Sequence, residues 1–420
     1  MKYAWIIAVV AAACVGLFLG GSLRSRHDSD DGLTTRSGLY ASNQQPGDET
    51  MFGGIAADDY FDTAREILVD DFVDPITDET KLTRGALQTM LQELDDPSAR
   101  YYAPTEWAAY IGMFEGKYTG IGADLAVRKE AGANGERLPV RVVSVALGGP
   151  ADKAGLKTGD WIDEIDGRWV ASYSLLAEVQ AASAKLTKKQ ITRKQFDAFV
   201  DTLQKRSEHM IPIFPALEEL QSKTGPIKLK VNRGDKSLLF AFTRKPYEME
   251  PVQADGNTIR IRSFSKDSAV KLADLIDGKN SLVLDVRGNP GGSFKAMVAC
   301  LAELAPKGVY GMQQKNPDEP PMALALTQGP DKPPRLTVLV DKGTAREAEL
   351  FVAALRDRAG AEIEGGPTWG DGRRIDRFAL PDGSGYTLTS AHFYDSKGRP
   401  LVRGDKPATE QAKEPQGAKL

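Results

Sequence analysis

The residues of this chain that could do chemistry lie around one sharp turn, between residues 336 and 372. The apolar run 336–340 predicts a buried strand, and the apolar spacing of residues 344–358 predicts a helix that Gly360 ends. A strand, a tight turn and a helix in this order point the first helical residues over the end of a sheet, where helix amide groups can stabilise an oxyanion. Such a corner is typical of sites that position a nucleophile.

Two glycine-rich segments accompany the corner. Residues 365–372 read Gly-Gly-Pro-Thr-Trp-Gly-Asp-Gly, and residues 282–292 read Leu-Val-Leu-Asp-Val-Arg-Gly-Asn-Pro-Gly-Gly. Together with the corner, these segments resemble the C-terminal processing peptidases, also called tail-specific proteases, which are serine endopeptidases with a Ser-Lys dyad. The resemblance covers roughly residues 55–405 and implies a mixed-sheet peptidase core similar to the ClpP and crotonase folds.

Three positions depart from the family pattern. The family turn usually reads Gly-Ser-Ala-Ser-Ala-Ser-Glu with the middle Ser as nucleophile, whereas residues 343–349 read Gly-Thr-Ala-Arg-Glu-Ala-Glu, which places Arg346 at the nucleophile position. Asp371 stands where the family has the general-base Lys of a Phe-Gly-Lys-Gly loop, and Ile375 stands where it usually has a Gln. Because a guanidinium is a permanent cation and a carboxylate cannot imitate a neutral amine, these replacements predict that the family's catalysis is lost.

The two charged replacements are 25 residues apart, as the Ser and Lys are in the family. We therefore predict that the Arg346 guanidinium pairs with the Asp371 carboxylate across the former active site. The alternatives are that Arg346 extends into solvent or that it pairs with Glu347 or Glu349.

Other candidate site residues follow from the same resemblance. The oxyanion-hole-like set is formed by the amide of Gly291 or Gly292 together with Glu347. If the protein hydrolysed peptides with other residues, Thr344 and Lys342 would be the nearby candidates.

A second motif lies upstream of the core. Residues 118–127 read Tyr-Thr-Gly-Ile-Gly-Ala-Asp-Leu-Ala-Val, a glycine turn leading into a strand, and residues 149–167 continue a pattern that resembles a PDZ domain. Backbone amides in the turn could form an anion nest for a peptide carboxylate, while the strand edge pairs with the peptide main chain. The predicted peptide-binding residues are Gly120, Ile121, Gly122, Ala123 and Leu125.

The chain ends differ from this body in composition. Residues 4–19 are almost all apolar and predict a signal anchor, with a cleaved signal peptide as the alternative. Polar residues 29–54 predict a disordered tether. The family resemblance implies an anchored protein that faces the periplasm or another extracytoplasmic space.

The predicted fold class is mixed α/β, or α+β, with a helical region, a PDZ-like β domain and a peptidase-like core. Residues 185–223 interrupt the PDZ pattern with helical spacing and predict an inserted helical hairpin. The predicted segments are an anchor or signal at 1–28, a tether at 29–54, a helical region at 55–114, the PDZ-like domain at 115–246, the core at 247–405 and a loose tail at 406–420.

Composition narrows the functional classes. A net charge of -4 with interspersed signs makes nucleic acid an unfavourable partner. Two cysteines and three scattered histidines offer no disulfide framework and little material for a zinc site or a His-based triad, so we predict no metal and no cofactor.

Three functions agree with these observations. The first is a degenerate protease homologue that binds peptide or protein C-termini and regulates an active homologue, by competition or by mixed assembly, or that acts as a homo-oligomer. The second is a working endopeptidase that uses Thr344 or other residues. The third is an envelope scaffold. We favour the first because both dyad positions have lost their chemistry.

Overall fold

The structure is a computed structural model that describes residues 57–132 and 135–401. The predicted anchor, tether and loose tail lie outside the described residues. Within the described ranges, no helix has the length and apolarity that a membrane crossing requires. Among the described residues, 57–77 belong to a separate unit, which contains helix α1 (Ala57–Asp71).

The second unit begins at Asp78 and contains the other described elements. Its helices are α2 (Thr80–Gln92), α3 (Pro104–Phe114), α4 (Pro150–Ala154), α5 (Leu175–Thr187), α6 (Arg193–Glu208), α7 (Ile213–Gln221), α8 (Ser268–Ile276), α9 (Phe294–Leu304) and α10 (Glu347–Arg358). Its strands up to the end of the PDZ pattern are β1 (Arg100–Tyr102), β2 (Lys117–Tyr118), β3 (Ala123–Val127), β4 (Glu130–Gly132), β5 (Gly135–Arg137), β6 (Val140–Val145), β7 (Trp161–Ile165), β8 (Arg168–Val170), β9 (Met210–Ile211), β10 (Gly225–Arg233) and β11 (Lys236–Arg244). The later strands are β12 (Tyr247–Glu248), β13 (Val252–Asp255), β14 (Thr258–Ile261), β15 (Ser281–Asp285), β16 (Gly308–Gln314), β17 (Met322–Leu326), β18 (Arg335–Val340), β19 (Glu362–Gly365), β20 (Arg373–Ala379) and β21 (Gly385–Tyr394).

The core sheet has the strand order β13-β14-β15-β18-β19, parallel except for the antiparallel pair β13-β14. Its central strands, β15 and β18, are mostly apolar, as expected of strands that are covered on both faces. Leu284 of β15 is fully buried, as are Met297 and Phe351 of the helices packed on the sheet. Parallel strands bring their carboxyl ends to one edge of a sheet, so the turn after β15 and the corner after β18 lie side by side. The Gly288 amide donates to Asp341 Oδ1 at 2.8 Å across this edge.

A second sheet has the strand order β1-β21-β16-β17, with β20 beside β21. It forms a separate layer that packs against the core. An aromatic cluster on α3 and β1 accompanies it, and the Tyr102 and Tyr110 rings are stacked at 4.7 Å. The sequence pattern did not predict strands β16 and β17. Both missed strands are short and lie on either side of a loop rich in Asn, Asp and Pro, which conceals their alternation.

The PDZ region folds as a sheet with the path β11-β10-β7-β6-β3, while β8 and β9 extend it beside β7. Strand β3 therefore lies at an edge of the sheet, and α7 packs beside it through Leu217 and Leu220. Residues 185–223 contain the end of α5 and all of α6 and α7. The two-residue strand β9 lies between α6 and α7. Helix α6 is attached to the sheet by Arg206, which donates to Asp163 Oδ1 at 2.8 Å and lies over the Trp169 ring.

Candidate active site at the strand-helix corner

The corner keeps the strained backbone that a nucleophile usually occupies. Strand β18 ends at Val340, and Arg346 immediately precedes helix α10 with φ 54° and ψ -119°. A non-glycine residue adopts such angles only where its surroundings hold it there. Hydrogen bonds of the two preceding residues supply that hold: the Ala345 amide donates to Asn289 O at 2.9 Å, and the Trp369 amide donates to Thr344 O at 2.9 Å. The predicted corner is therefore present, with an arginine at its apex.

A buried carboxylate joins the corner to the loop that follows β19. Glu349 Oε2 accepts hydrogen bonds from the amides of Arg346 at 3.1 Å and Asp371 at 2.9 Å. Its Oε1 accepts from the Thr368 hydroxyl and the Gly370 amide, each at 2.6 Å. Burial raises the pKa of Glu349 to about 7, against the lowering effect of these donors. Glu349 thus positions both segments that carry the replaced dyad residues.

Arg346 is buried and makes its hydrogen bonds away from Asp371. Its Nη1 donates to Asp124 Oδ2 and to the Pro290 carbonyl oxygen, each at 3.0 Å. Its Nε lies 4.0 Å from Asp371 Oδ2, which is an ion-pair distance without a hydrogen bond. Asp371 is bound more closely by Arg373, whose Nη2 donates to Asp371 Oδ2 at 3.1 Å. The predicted partner is therefore a neighbour of Arg346, but the hydrogen-bonded carboxylate is Asp124.

The alternatives for Arg346 also find no support. Its exposed fraction is 6%, so the side chain does not extend into solvent, and Glu349 binds its backbone amide rather than its guanidinium. Burial alone would lower the pKa of Arg346, yet Asp124 raises it above its usual value, and Arg346 remains a cation. Burial also raises the pKa of Asp124, with Arg346 opposing that effect. Sequence reasoning missed Asp124 because 222 residues separate it from Arg346.

The oxyanion-hole-like position is filled by the protein itself. Glu347 Oε2 accepts from the Gly292 amide at 3.2 Å, and the Gly291 amide is turned toward Asn289 Oδ1 at 2.8 Å. A Cβ atom on Gly291 would lie 2.2 Å from Glu347 Oε2, so the carboxylate leaves no space beside this turn. Burial raises the pKa of Glu347, while Arg377, the amide of Glu347 itself and the Gly292 amide lower it. The amides predicted to bind an oxyanion therefore bind the Glu347 carboxylate or a neighbouring side chain.

Arg377 is a site residue that sequence reasoning missed. Its Nη1 donates to the Gly292 carbonyl oxygen at 2.8 Å, and its guanidinium lies 4.2 Å from the centre of the Phe114 ring. No local signal marked it, because it lies in the middle of strand β20 among other charged residues. Its charge compensates Glu347 in the buried site.

The two fallback candidates for catalysis, Thr344 and Lys342, differ in their surroundings. Thr344 is fully buried, and its hydroxyl donates to the Val286 carbonyl oxygen at 2.9 Å while accepting from the Asp341 amide at 3.2 Å. Lys342 is exposed. Thr344 therefore stabilises the turn. Its engaged hydroxyl argues against a hydrolase that uses Thr344 as its nucleophile.

Ile375 lies next to the arginine rather than at a reaction centre. It is buried and lines a cavity of about 40 Å³ together with Arg346, Leu125 and Tyr102. An apolar side chain at this point closes the cavity and offers no hydrogen bond to a reacting group.

The predicted carboxylate nest of the PDZ turn is already occupied. The Ile121 amide donates to Leu220 O at 2.8 Å, and the Gly122 amide donates to Thr119 O at 3.3 Å. A Cβ atom on Gly120 would lie 2.0 Å from Leu220 O, so only glycine permits this close approach. Ala123 and Leu125 lie in strand β3 as predicted, but two of the amides intended for a ligand are bound to the protein's own carbonyl groups.

Comparison with known proteins agrees with this architecture. Residues 257–408 match the model of peptidase family S41, and residues 141–185 match a PDZ domain model. The carboxy-terminal processing protease CtpA of Bacillus subtilis (strain 168) is 29% identical over 82% of this chain and 66% of its own length. Carboxyl-terminal-processing peptidase 2, chloroplastic, of Arabidopsis thaliana is 26% identical over 74% of this chain and 56% of its own length. The chain thus spans two thirds or less of these relatives.

Among solved structures, a photosystem II D1 C-terminal processing protease shares the fold, with a TM-score of 0.55 and 23% identity over 82% of this chain and 84% of that chain. The chain therefore resembles peptidase family S41 over its core and a PDZ domain over residues 141–185. It is a homologue of the C-terminal processing proteases.

The pKa of Glu349 predicts a pH dependence of stability. Because the folded state raises this pKa from 4.5 to about 7, Glu349 stabilises the fold fully below pH 4.5 and loses that contribution as the pH rises through 7. Relative to Glu349→Gln, the wild type should lose up to roughly 3 kcal/mol of unfolding free energy between pH 4.5 and pH 8. Denaturant titrations of both proteins across this range measure the difference. Parallel pH profiles of the two proteins would contradict the assignment.

Proposed function

We propose that this protein is a catalytically inactive homologue of the C-terminal processing proteases that binds peptide or protein C-termini. One observation carries the loss of activity: the corner retains its backbone geometry, but Arg346 occupies its apex and the Glu347 carboxylate occupies the Gly292 amide. The site is therefore filled where a scissile carbonyl would have to lie.

The chemistry of acyl transfer supports this proposal. The reaction needs a hydroxyl nucleophile, a base that accepts its proton and amides free to bind the oxyanion. Arg346 supplies no nucleophile, and Asp371 is held by Arg373 in a partly buried ion pair. The nearby hydroxyl of Thr344 is already engaged with Val286 O.

Peptide binding is supported by the PDZ region. The match to a PDZ domain model and the edge position of β3 together favour recognition by strand addition. The relatives are named for processing carboxy termini, and we extend the recognition of such ends, without the cleavage, to this chain.

Location and partners belong to the same proposal. The apolar stretch of residues 4–19 supports attachment to a membrane, and the resemblance to the C-terminal processing peptidases supports a folded body outside the cytoplasm. There the protein would act on an active homologue, by competing for C-termini or by mixed assembly, or with a second copy of itself.

A binding measurement tests the peptide function. We expect a fluorescein-labelled decapeptide with an apolar, free C-terminus to bind at least about tenfold more tightly than the same peptide with an amidated end. The reason is that a carboxylate can replace the Leu220 and Thr119 carbonyl oxygens as acceptor of the Ile121 and Gly122 amides. Fluorescence polarisation gives both dissociation constants.

The control for this measurement is a scrambled peptide that ends in Asp. Equal affinity for the acid and the amide would contradict recognition of the carboxylate. Absence of binding to all of the peptides would remove the peptide function altogether.

A further inference from the structure

The groove that should receive a peptide is closed in this structure. A PDZ domain takes its ligand between an edge strand and the neighbouring helix, here β3 and α7. The space between them is a cavity of about 40 Å³, whereas sites for drug-sized ligands have volumes of roughly 300–1,000 Å³. The cavity is lined from the PDZ side by Leu125, Val127, Leu217 and Gln221, and from the other side by residues of β1 and the core.

Strand β1 closes the groove from outside. Arg100 is 6% exposed, and its Nη1 donates to Gln221 Oε1 of α7 at 3.3 Å. Its guanidinium also lies 5.8 Å from the centre of the Phe214 ring at the start of the same helix. Because β1 is paired with β21, this cover belongs to the second sheet and not to the PDZ domain.

The strained corner closes the groove from the core side. Arg346 Nη1 bridges Asp124 Oδ2 in β3 and the Pro290 carbonyl oxygen in the turn after β15, each at 3.0 Å. Just beyond β3, Arg128 Nη2 donates to the Gly370 carbonyl oxygen at 2.9 Å. The edge strand that a peptide would extend is thus fastened to the loops of the former active site.

We propose that Arg346 determines the affinity of the PDZ groove for a peptide C-terminus, because its bond to Asp124 holds β3 against the core and keeps the groove closed. This inference rests on the proposed peptide-binding function. A side chain at the position of the absent nucleophile therefore acts on binding, as a positioning residue for β3.

The direction of the effect follows from solvation. In the closed form Asp124 is 1% exposed and depends on Arg346 for its compensating charge. In an open form water would solvate Asp124 instead. Replacing Arg346 by a neutral side chain leaves Asp124 buried and unpaired only in the closed form, so the replacement favours the open form.

The size of the effect follows from the population that can bind. The apparent dissociation constant equals the intrinsic one divided by the fraction of molecules with an open groove. If about one molecule in ten or fewer is open in the wild type, removing the bond to Asp124 can tighten binding tenfold or more.

The test uses the full chain in four forms: wild type, Arg346→Gln, Asp124→Asn and the control Arg193→Gln. Arg193 also forms an ion pair with a carboxylate, Asp197, but on the exposed surface of α6. Fluorescence polarisation with the free-acid decapeptide gives the dissociation constants, and the amidated peptide serves as ligand control. Hydrogen exchange of the amides in β3 and α7 reports the opening without any ligand. Circular dichroism at the assay temperature confirms that each form is folded.

We expect Arg346→Gln and Asp124→Asn each to lower the dissociation constant at least about tenfold and to accelerate exchange in β3, while Arg193→Gln matches the wild type. Arg346→Gln and Asp124→Asn each remove a different partner of the Arg346–Asp124 ion pair. If one variant does not fold, the other therefore still tests the inference. Equal dissociation constants and equal exchange in all four forms overturn the inference and leave peptide binding standing. If exchange is faster in both variants but no form binds the peptide, then Arg346 holds β3 against the core as inferred, and the peptide-binding function is refuted. Unchanged exchange without binding refutes both.

Discussion

The wild-type protein should leave an unstructured, C-terminally tagged substrate intact, whereas the triple variant Arg346→Ser, Asp371→Lys and Glu347→Ala should cleave it. The first two changes restore the family's nucleophile and base at positions whose side chains already approach each other to 4.0 Å. The strained backbone at residue 346 is retained and needs no rebuilding. The amine introduced by Asp371→Lys would also lie beside Arg373, and a neighbouring cation favours the neutral amine that a general base requires.

The third change is required because of what the structure places in the oxyanion-hole-like position. The Glu347 carboxylate accepts from the Gly292 amide, and the family turn carries Ala at this point. One oxyanion donor is worth about 10²–10³ in kcat, so the double variant that keeps Glu347 should cleave more slowly than the triple variant by roughly that factor. A gel-based time course with purified proteins measures both rates.

Two controls separate the contributions. Adding Ile375→Gln to the triple variant tests whether the remaining replaced position limits the rate, and Thr344→Ala in the wild type tests the fallback nucleophile. Cleavage by the wild type at a rate comparable with the triple variant would contradict the loss of catalysis. If Thr344→Ala then abolished that cleavage, the hydrolase hypothesis based on Thr344 would replace our proposal.

Glu349→Ala should destabilise the fold by roughly 3-5 kcal/mol, the largest stability effect that we expect from one substitution in the site. The change removes the acceptor of three buried amides and the Thr368 hydroxyl, and it leaves a cavity where the corner meets the loop after β19. It also removes the carboxylate that accepts from the Arg346 amide and helps to hold this residue in its strained conformation. Urea denaturation followed by fluorescence gives the change in unfolding free energy.

Glu303→Ala is the matched control, because Glu303 is an exposed residue of helix α9. A surface substitution of this kind changes the unfolding free energy by about 0.5 kcal/mol or less. A Glu349→Ala protein as stable as the control would show that the hydrogen bonds of Glu349 do not hold the two segments together.

Much of the architecture could be predicted from local patterns. Apolar spacing and glycine punctuation predicted the strand at 336–340 and a helix at 344–358, and the structure has β18 and α10 there, although α10 begins only at Glu347, after Arg346. The PDZ signature likewise predicted the right position for β3. Such predictions succeed because periodicity and turn residues act over a few neighbouring residues.

The partners of the buried charges could not be predicted in this way. Sequence spacing and the family dyad predicted an ion pair between Arg346 and Asp371, and these side chains do lie close together. The carboxylate that accepts a hydrogen bond from Arg346, however, lies in a strand of the PDZ region 222 residues away. Glu347 was expected to belong to an oxyanion-hole-like set, and instead its carboxylate binds the amide of Gly292. Each of these outcomes depends on how separate segments pack.

Residue identities alone establish that Arg, Asp and Ile stand at positions 346, 371 and 375, where the family usually has Ser, Lys and Gln. What those residues do instead depends on how distant segments pack together in the fold. A buried cation must find a compensating charge within hydrogen-bonding distance, and which carboxylate lies there is fixed by the packing of β3 against the corner. For that reason the sequence identified the replaced residues at 346 and 371, whereas the fold revealed the contact between Arg346 and Asp124 of strand β3.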